Sequence, residues 1–193
     1  MPAGRPPFPF QIVIELPAWL RGFEFERAYR TTEEKMRLAV ALARRNVEEG
    51  TGGPFGAAVF ERGTGALVAP GVNLVVPSHA ATAHAEIVAL TLAGQTAGTH
   101  DLSELDCELV TSVEPCAMCL GAVPWSGVGR LVCGAREEDA RAIGFDEGSK
   151  PADWPAALEA RRIEVVRDVL RDEAAAVLRD YRAAGGPIYN PRR

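Results

Sequence analysis

Several things are scarce in this sequence of 193 residues. No apolar run approaches the roughly 20 residues needed to cross a bilayer, since the longest candidates are broken by charge or proline. Residues 1–9 lack the apolar stretch and small-residue cleavage site of a secretory leader, so the expectation is a cytoplasmic protein without a membrane partner. Positive charge is in deficit: 21 Lys and Arg against 26 Asp and Glu give a net charge of -5 and a pI near 5.3, which argues against a nucleic-acid partner. Repeats and low-complexity blocks are absent. Cysteine is sparse as well, and four in a chain of this kind fit metal binding or core filling better than a disulfide framework.

What is present is a chain long enough for one sizeable core, with 47% hydrophobic residues. Residues 1–30 hold five prolines and read as an irregular N-terminal arm with one short strand over 11–15. Order begins at Thr31, where Thr31 and Glu34 form a capping box and Met36, Val40, Ala43 and Val47 recur at helical spacing up to Gly50. A hairpin follows, with strands over 55–61 and 66–76. A mostly buried helix is expected over 83–92, a loop over 94–105, a strand over 107–111 and a helix starting at Pro115. Beyond a strand over 130–134 lie a charged segment, a Gly-rich loop over 144–151, a short helix over 155–160, a strand over 163–166 and a last helix over 170–182. This alternation predicts a three-layer α/β/α sandwich around a central mixed sheet of about five strands, with residues 31–193 as the functional domain.

Two short motifs carry the chemistry. His84-Ala85-Glu86 lies in the first turn of one expected helix, and Pro115-Cys116-Ala117-Met118-Cys119 opens another. A catalytic zinc takes three protein ligands and keeps one position open, a count that His84, Cys116 and Cys119 satisfy. Thiolates spaced Cys-x-x-Cys on one turn can share an ion, and the helix N-terminus favours their charge. Glu86, two residues past His84, leaves the helix in another direction and is placed to carry a proton without ligating. The combination is a known signature of zinc-dependent deaminases, matched here rather than deduced from spacing. A structural zinc site with Cys107, Cys133, His79 or His100 as fourth ligand is the plainer alternative, but it leaves Glu86 and Pro115 unexplained. Cys107 and Cys133, inside apolar runs, read as buried residues.

With these motifs the chain resembles the cytidine deaminase superfamily, and within it the bacterial guanine deaminases, over about residues 31–190. The resemblance rests on residues 52–57 (Gly-Gly-Pro-Phe-Gly-Ala), Asn73, residues 83–86, residues 111–119, Trp125 and residues 144–147 (Gly-Phe-Asp-Glu). It implies hydrolytic deamination of guanine to xanthine and ammonia with zinc as cofactor. It further implies Glu86 as proton carrier and Glu147 as a second acid at the leaving amine, ahead of Asp139 and Asp146. Asn73 is expected at the purine edge, the Ala85 backbone near the ring, and Phe55 and Trp125 as apolar walls. The C-terminal tail with Tyr189 is expected to act as a lid, sometimes over the site of a partner subunit, in a homodimer. The proline-rich arm and the loop around 150–154 depart from shorter members of the family.

Three other readings remain open at the level of sequence. A tRNA adenosine deaminase shares the Pro-Cys-x-x-Cys pieces, but the last helix mixes Arg171, Arg179 and Arg182 with Asp172, Glu173 and Asp180 and offers no basic face. Cytosine, cytidine or an amino-triazine such as ammeline presents a comparable amidine edge. A catalytically idle zinc module stands in a different class, against which Glu86 argues.

Overall fold

The computed structural model describes residues 9–190. In chain order the elements are a 3-10 turn (Ala18–Gly22), α1 (Thr32–Glu48), β1 (Gly56–Glu61), β2 (Leu67–Val72), α2 (Val75–Ser78), α3 (Ala85–Ala97), a second 3-10 turn (Leu102–Leu105), β3 (Cys107–Val113), α4 (Ala117–Ser126), β4 (Arg130–Ala135), α5 (Glu137–Ile143), α6 (Trp154–Glu159), β5 (Glu164–Val166) and α7 (Arg171–Ala183). The five strands form one mixed sheet in the order β2-β1-β3-β4-β5. β1 runs antiparallel to both β2 and β3, whereas β3, β4 and β5 are mutually parallel.

Strand alternation divides the apolar interior in two. Ala58, Phe60, Val110 and Val132 face a core closed by α1, α5 and α7. Ala57, Val59, Leu109, Leu131 and Cys133 face a second core closed by α3, α4 and α6. The expected three layers and five strands are thus present. Both strands are buried on both faces, which explains the apolar stretches Leu109-Val110 in β3 and Leu131-Val132-Cys133 in β4. Gly71 on β2 lets α3 lie close against the sheet, since a Cβ there would come within 2.2 Å of the Ala85 carbonyl.

Local signals set several boundaries. Thr31 accepts from the Glu34 N–H while the Glu34 carboxylate accepts from the Thr31 N–H, so the capping box starts α1 where the sequence places it. Gly98, with φ of 69°, ends α3 five residues beyond the expected Leu92, because Gly94 sits inside the helix without breaking it. The second hairpin strand stops at Val72 rather than continuing to Val76, because Leu74 to Ser78 turn into α2. Helix α5 occupies part of the charged segment left unassigned by periodicity; three acids in its first turn suit a helix N-terminus.

No strand forms over 11–15. Pro9 and Pro17 flank that stretch, and it docks instead through single side chains: Ile14, Leu16, Trp19, Leu20 and Phe23 all pack on the first core. No helix among the described residues is long and apolar enough to cross a membrane.

Candidate active site

Two helix starts meet beside the carboxyl end of β3. His84 is the N-cap residue of α3, Cys116 is the N-cap residue of α4, and Cys119 lies one turn into α4. Pro115 therefore precedes α4 instead of opening it, and Cys116 is the extended cap residue, with φ of -63° and ψ of 171°. One donor atom from each of His84, Cys116 and Cys119 lies within 4.8 Å of the others, and His84 Nδ1 is 3.5 Å from Cys116 Sγ. Cys107, Cys133, His79 and His100 stand apart from this group.

The electrostatics suit a cation. A hydrogen bond from Cys119 and the neighbouring His84 hold the Cys116 thiol down to about 4, against the cost of burial. As donor in that bond, and buried, Cys119 is pushed well up. Burial alone would lower His84, yet its bond to Cys116 and the charges of Glu86 and Glu147 raise it. One imidazole and two sulfurs facing a shared point fit zinc with a position left open, and coordination deprotonates both thiols.

Two acids face the same point. Glu86, in the first turn of α3, is only 6% exposed, and burial together with the Cys116 thiolate pushes its carboxyl up to about 7. Glu147 is 5% exposed and is pushed up to about 8 by burial, the Cys116 thiolate and Glu86. Its loop is held to α4 by the Ala117 N–H, which donates to the Glu147 carbonyl at 2.9 Å, and by Lys150 Nζ, which donates to the Pro115 carbonyl at 2.9 Å. Asp139 is committed elsewhere, to Arg171 and the start of α5, and Asp146 is exposed with its carboxylate accepting from the Gly148 N–H. Glu114, just before Pro115, orders the surroundings: it accepts from the Glu137 N–H and pairs with Arg167.

These groups line a cavity of about 350 Å³ whose apolar walls include Phe55, Phe145 and Met118. Phe55 and Tyr189 each meet Phe145 edge to face, with ring centroids 5.0 and 5.1 Å away. Asn190 latches the tail, donating from Nδ2 to the Gly144 carbonyl at 2.8 Å and accepting from the Asp146 N–H at 3.1 Å. Asn73 lies behind the wall, 1% exposed. Its Oδ1 accepts from the Val75 N–H, while its Nδ2 and the buried Tyr189 hydroxyl have no partner among the described residues. Buried polar atoms of this kind call for a ligand or water to satisfy them. Gly53 makes room for both, since a Cβ there would lie 2.6 Å from the Tyr189 hydroxyl and 3.1 Å from Asn73 Oδ1. The Ala85 side chain is buried in the second core, leaving its main chain at the α3 N-terminus as the part able to serve a ligand.

Trp125 is not brought here. It lies six residues beyond Cys119 on α4, about 240° further round the helix, so it faces away. The side chain is 86% exposed and borders a separate, open groove between α3 and α4 with Ile87, Leu90 and Ala122. Sequence reasoning in turn missed Lys150 and Asn190. Both act on backbone carbonyls far away in the chain, and no local pattern marks that role.

The chain matches the family model for the cytidine and deoxycytidylate deaminase zinc-binding region over residues 29–135. It is 42% identical over 126 residues to a guanine deaminase of Bacillus subtilis, covering 64% of this chain and 78% of that protein. Among solved structures, a guanine deaminase from Nitrosomonas europaea is 49% identical, with a TM-score of 0.87 over 91% of this chain and 98% of that one. A structure in complex with 2,6-diaminopurine is 50% identical, with a TM-score of 0.87 over 95% of this chain and 98% of that one.

Proposed function

The chain belongs to the cytidine and deoxycytidylate deaminase family, and within it we propose that it catalyses the zinc-dependent hydrolysis of guanine to xanthine and ammonia. One observation carries the reading: two buried acids with raised pKa values flank a His/Cys/Cys donor set at a cavity lined by Tyr189 and backed by Asn73, whose hydroxyl and Nδ2 respectively lack partners among the described residues. Similarity to two guanine deaminases makes guanine the favoured substrate over adenosine in tRNA, cytosine, cytidine or ammeline.

His84, Cys116 and Cys119 would hold the zinc, which when bound makes water a competent nucleophile at neutral pH. Glu86 accepts the proton that water gives up and passes it to a ring nitrogen of the purine. A carbon–oxygen bond forms at C2 and the bond from C2 to the exocyclic nitrogen breaks. Glu147, whose carboxyl pKa is raised by burial, donates a proton to the departing amine and takes back the hydroxyl proton from C2 as the carbonyl forms, so both acids end as they began. Asn73 binds the purine edge, the Ala85 main chain lies near the ring, Phe55 forms an apolar wall, and Tyr189 on the tail covers the base.

The test is ammonia release from guanine, guanosine, adenine, cytosine, cytidine and an adenosine-bearing tRNA stem-loop. Guanine is expected to be the best substrate. Faster release from any other member of the panel overturns the assignment.

The groove beside Trp125 supports a homodimer. The faces of α3 and α4 that border it carry Ile87, Leu90, Ala122 and Trp125 at the surface of a single chain. Trp125→Glu is expected to turn a dimer into a monomer in light scattering; a wild-type monomer contradicts the dimer. Two cysteines that must stay reduced to bind zinc suit a cytoplasmic enzyme of purine metabolism. The chain is best divided into an arm, 1–30, and a deaminase domain, 31–193, ending in a lid-like tail.

A further inference from the structure

The N-terminal arm has no part in the chemistry described so far, yet it is joined to the candidate site by a directed chain of hydrogen bonds. The chain centres on Asn46, a side chain with 0% exposure on α1. Its Nδ2 donates to the Gly53 carbonyl at 3.0 Å and to the Asn73 carbonyl at 2.9 Å. Its Oδ1 accepts from the Thr51 hydroxyl at 2.8 Å. Thr51 Oγ1 in turn accepts from Trp19 Nε1 at 2.9 Å.

Each donor in this series has one sensible direction. The indole N–H can only donate, so Thr51 must accept from it and spend its own proton on Asn46. With Oδ1 so engaged, the Asn46 amide has a fixed orientation and both its N–H bonds go to main-chain carbonyls. A buried amide is costly unless all its atoms are partnered, and here the partners are the two backbone segments beside the substrate cavity. One is Gly53, which lies against the Tyr189 hydroxyl and Asn73 Oδ1; the other is Asn73 itself.

We propose that Trp19, Thr51 and Asn46 are positioning residues that tie the arm to the purine-binding amide of Asn73. The inference rests on the reading of Asn73 given above. The arm is firmly seated, because Leu20 is buried in the first core, Ile14 and Leu16 pack on it, and Trp19 meets Phe23 with ring centroids 5.8 Å apart. Pro17 precedes the 3-10 turn that presents the indole. The consequence lies in affinity for the base, because Asn73 meets the purine edge and not the reacting bond.

The experiment compares wild type, Thr51→Val, Thr51→Ser, Trp19→Phe and Asn73→Ala in steady-state guanine deamination, with zinc content and melting temperature measured alongside. Thr51→Val keeps the shape of the side chain and removes both the bond from Trp19 and the bond to Asn46, whereas Trp19→Phe removes only the bond to Thr51. Each is expected to raise KM about three- to tenfold with kcat, zinc content and melting temperature retained, and Thr51→Ser to restore KM. Unchanged KM in both Thr51→Val and Trp19→Phe overturns the proposal. A rise in KM that comes with zinc loss and a lowered melting temperature also overturns it, because that is general loosening. If Asn73→Ala is impaired while Thr51→Val and Trp19→Phe are silent, only the arm's role falls. If Asn73→Ala works normally, the reading of Asn73 falls and the arm's role with it.

Discussion

Lys150 is fastened to Pro115: its ammonium donates to the Pro115 carbonyl at 2.9 Å, immediately before the first zinc-site cysteine. The same ammonium pairs with Glu137 at 2.5 Å and lies over the Trp154 ring, 5.5 Å from its centroid. One buried cation thus joins the loop carrying Glu147 to the turn carrying Cys116. Lys150→Met is expected to lower kcat/KM for guanine about tenfold to a hundredfold, the range for losing a charged hydrogen bond, with zinc content preserved. Lys150→Arg should recover part of the loss. Wild-type kinetics in Lys150→Met would show that the clamp does not control Glu147.

Asn190 makes the corresponding connection for the tail. Because it bonds Gly144 and Asp146 on either side of Phe145, it holds Tyr189 over the cavity. Asn190→Ala removes both bonds and is expected to raise KM for guanine about three- to tenfold with a small effect on kcat. Carboxypeptidase should trim this variant faster than wild type. Equal trimming rates and equal KM would leave the tail without a covering role.

Removal of the metal should expose one thiol to chemistry. In chelator-treated protein Cys116, held down to about 4, is a thiolate at pH 6, whereas burial pushes Cys107 up to about 11 and Cys133 well above the ordinary thiol range. A depressed pKa keeps the nucleophile available as pH falls, until about pH 4. Iodoacetamide at pH 6 is expected to label Cys116 in the chelated protein and to leave the zinc-loaded protein unlabelled. Labelling of Cys107 or Cys133, or the same labelling with zinc present, would contradict this electrostatic picture.

Much of this was legible in the sequence where the signal is local. The capping box of Thr31 and Glu34 sets a helix start within four residues, and β1, β3 and β4 show themselves as apolar runs between turn signals. His84, Cys116 and Cys119 were legible for a different reason: they match a known zinc-deaminase signature, and the structure brings their donor atoms within 4.8 Å of one another. Asn46 was not, because on a helical pattern it passes for a surface residue; its burial depends on carbonyls of Gly53 and Asn73 that sequence cannot bring near. Trp125 entered through the family resemblance, which carries no orientation: the helical rotation between Cys119 and Trp125 turns it to the other side of α4 in a single chain.

The central claim is that Glu86 moves the proton in a zinc-dependent deamination of guanine, and Glu86→Gln tests it most directly. The substitution keeps the shape of the side chain and leaves His84, Cys116 and Cys119 untouched. The purified variant is expected to hold about one zinc per chain, as wild type does, and to release ammonia from guanine about 10²- to 10⁴-fold more slowly. Zinc-loaded Glu86→Gln protein that converts guanine to xanthine at the wild-type rate would contradict the account.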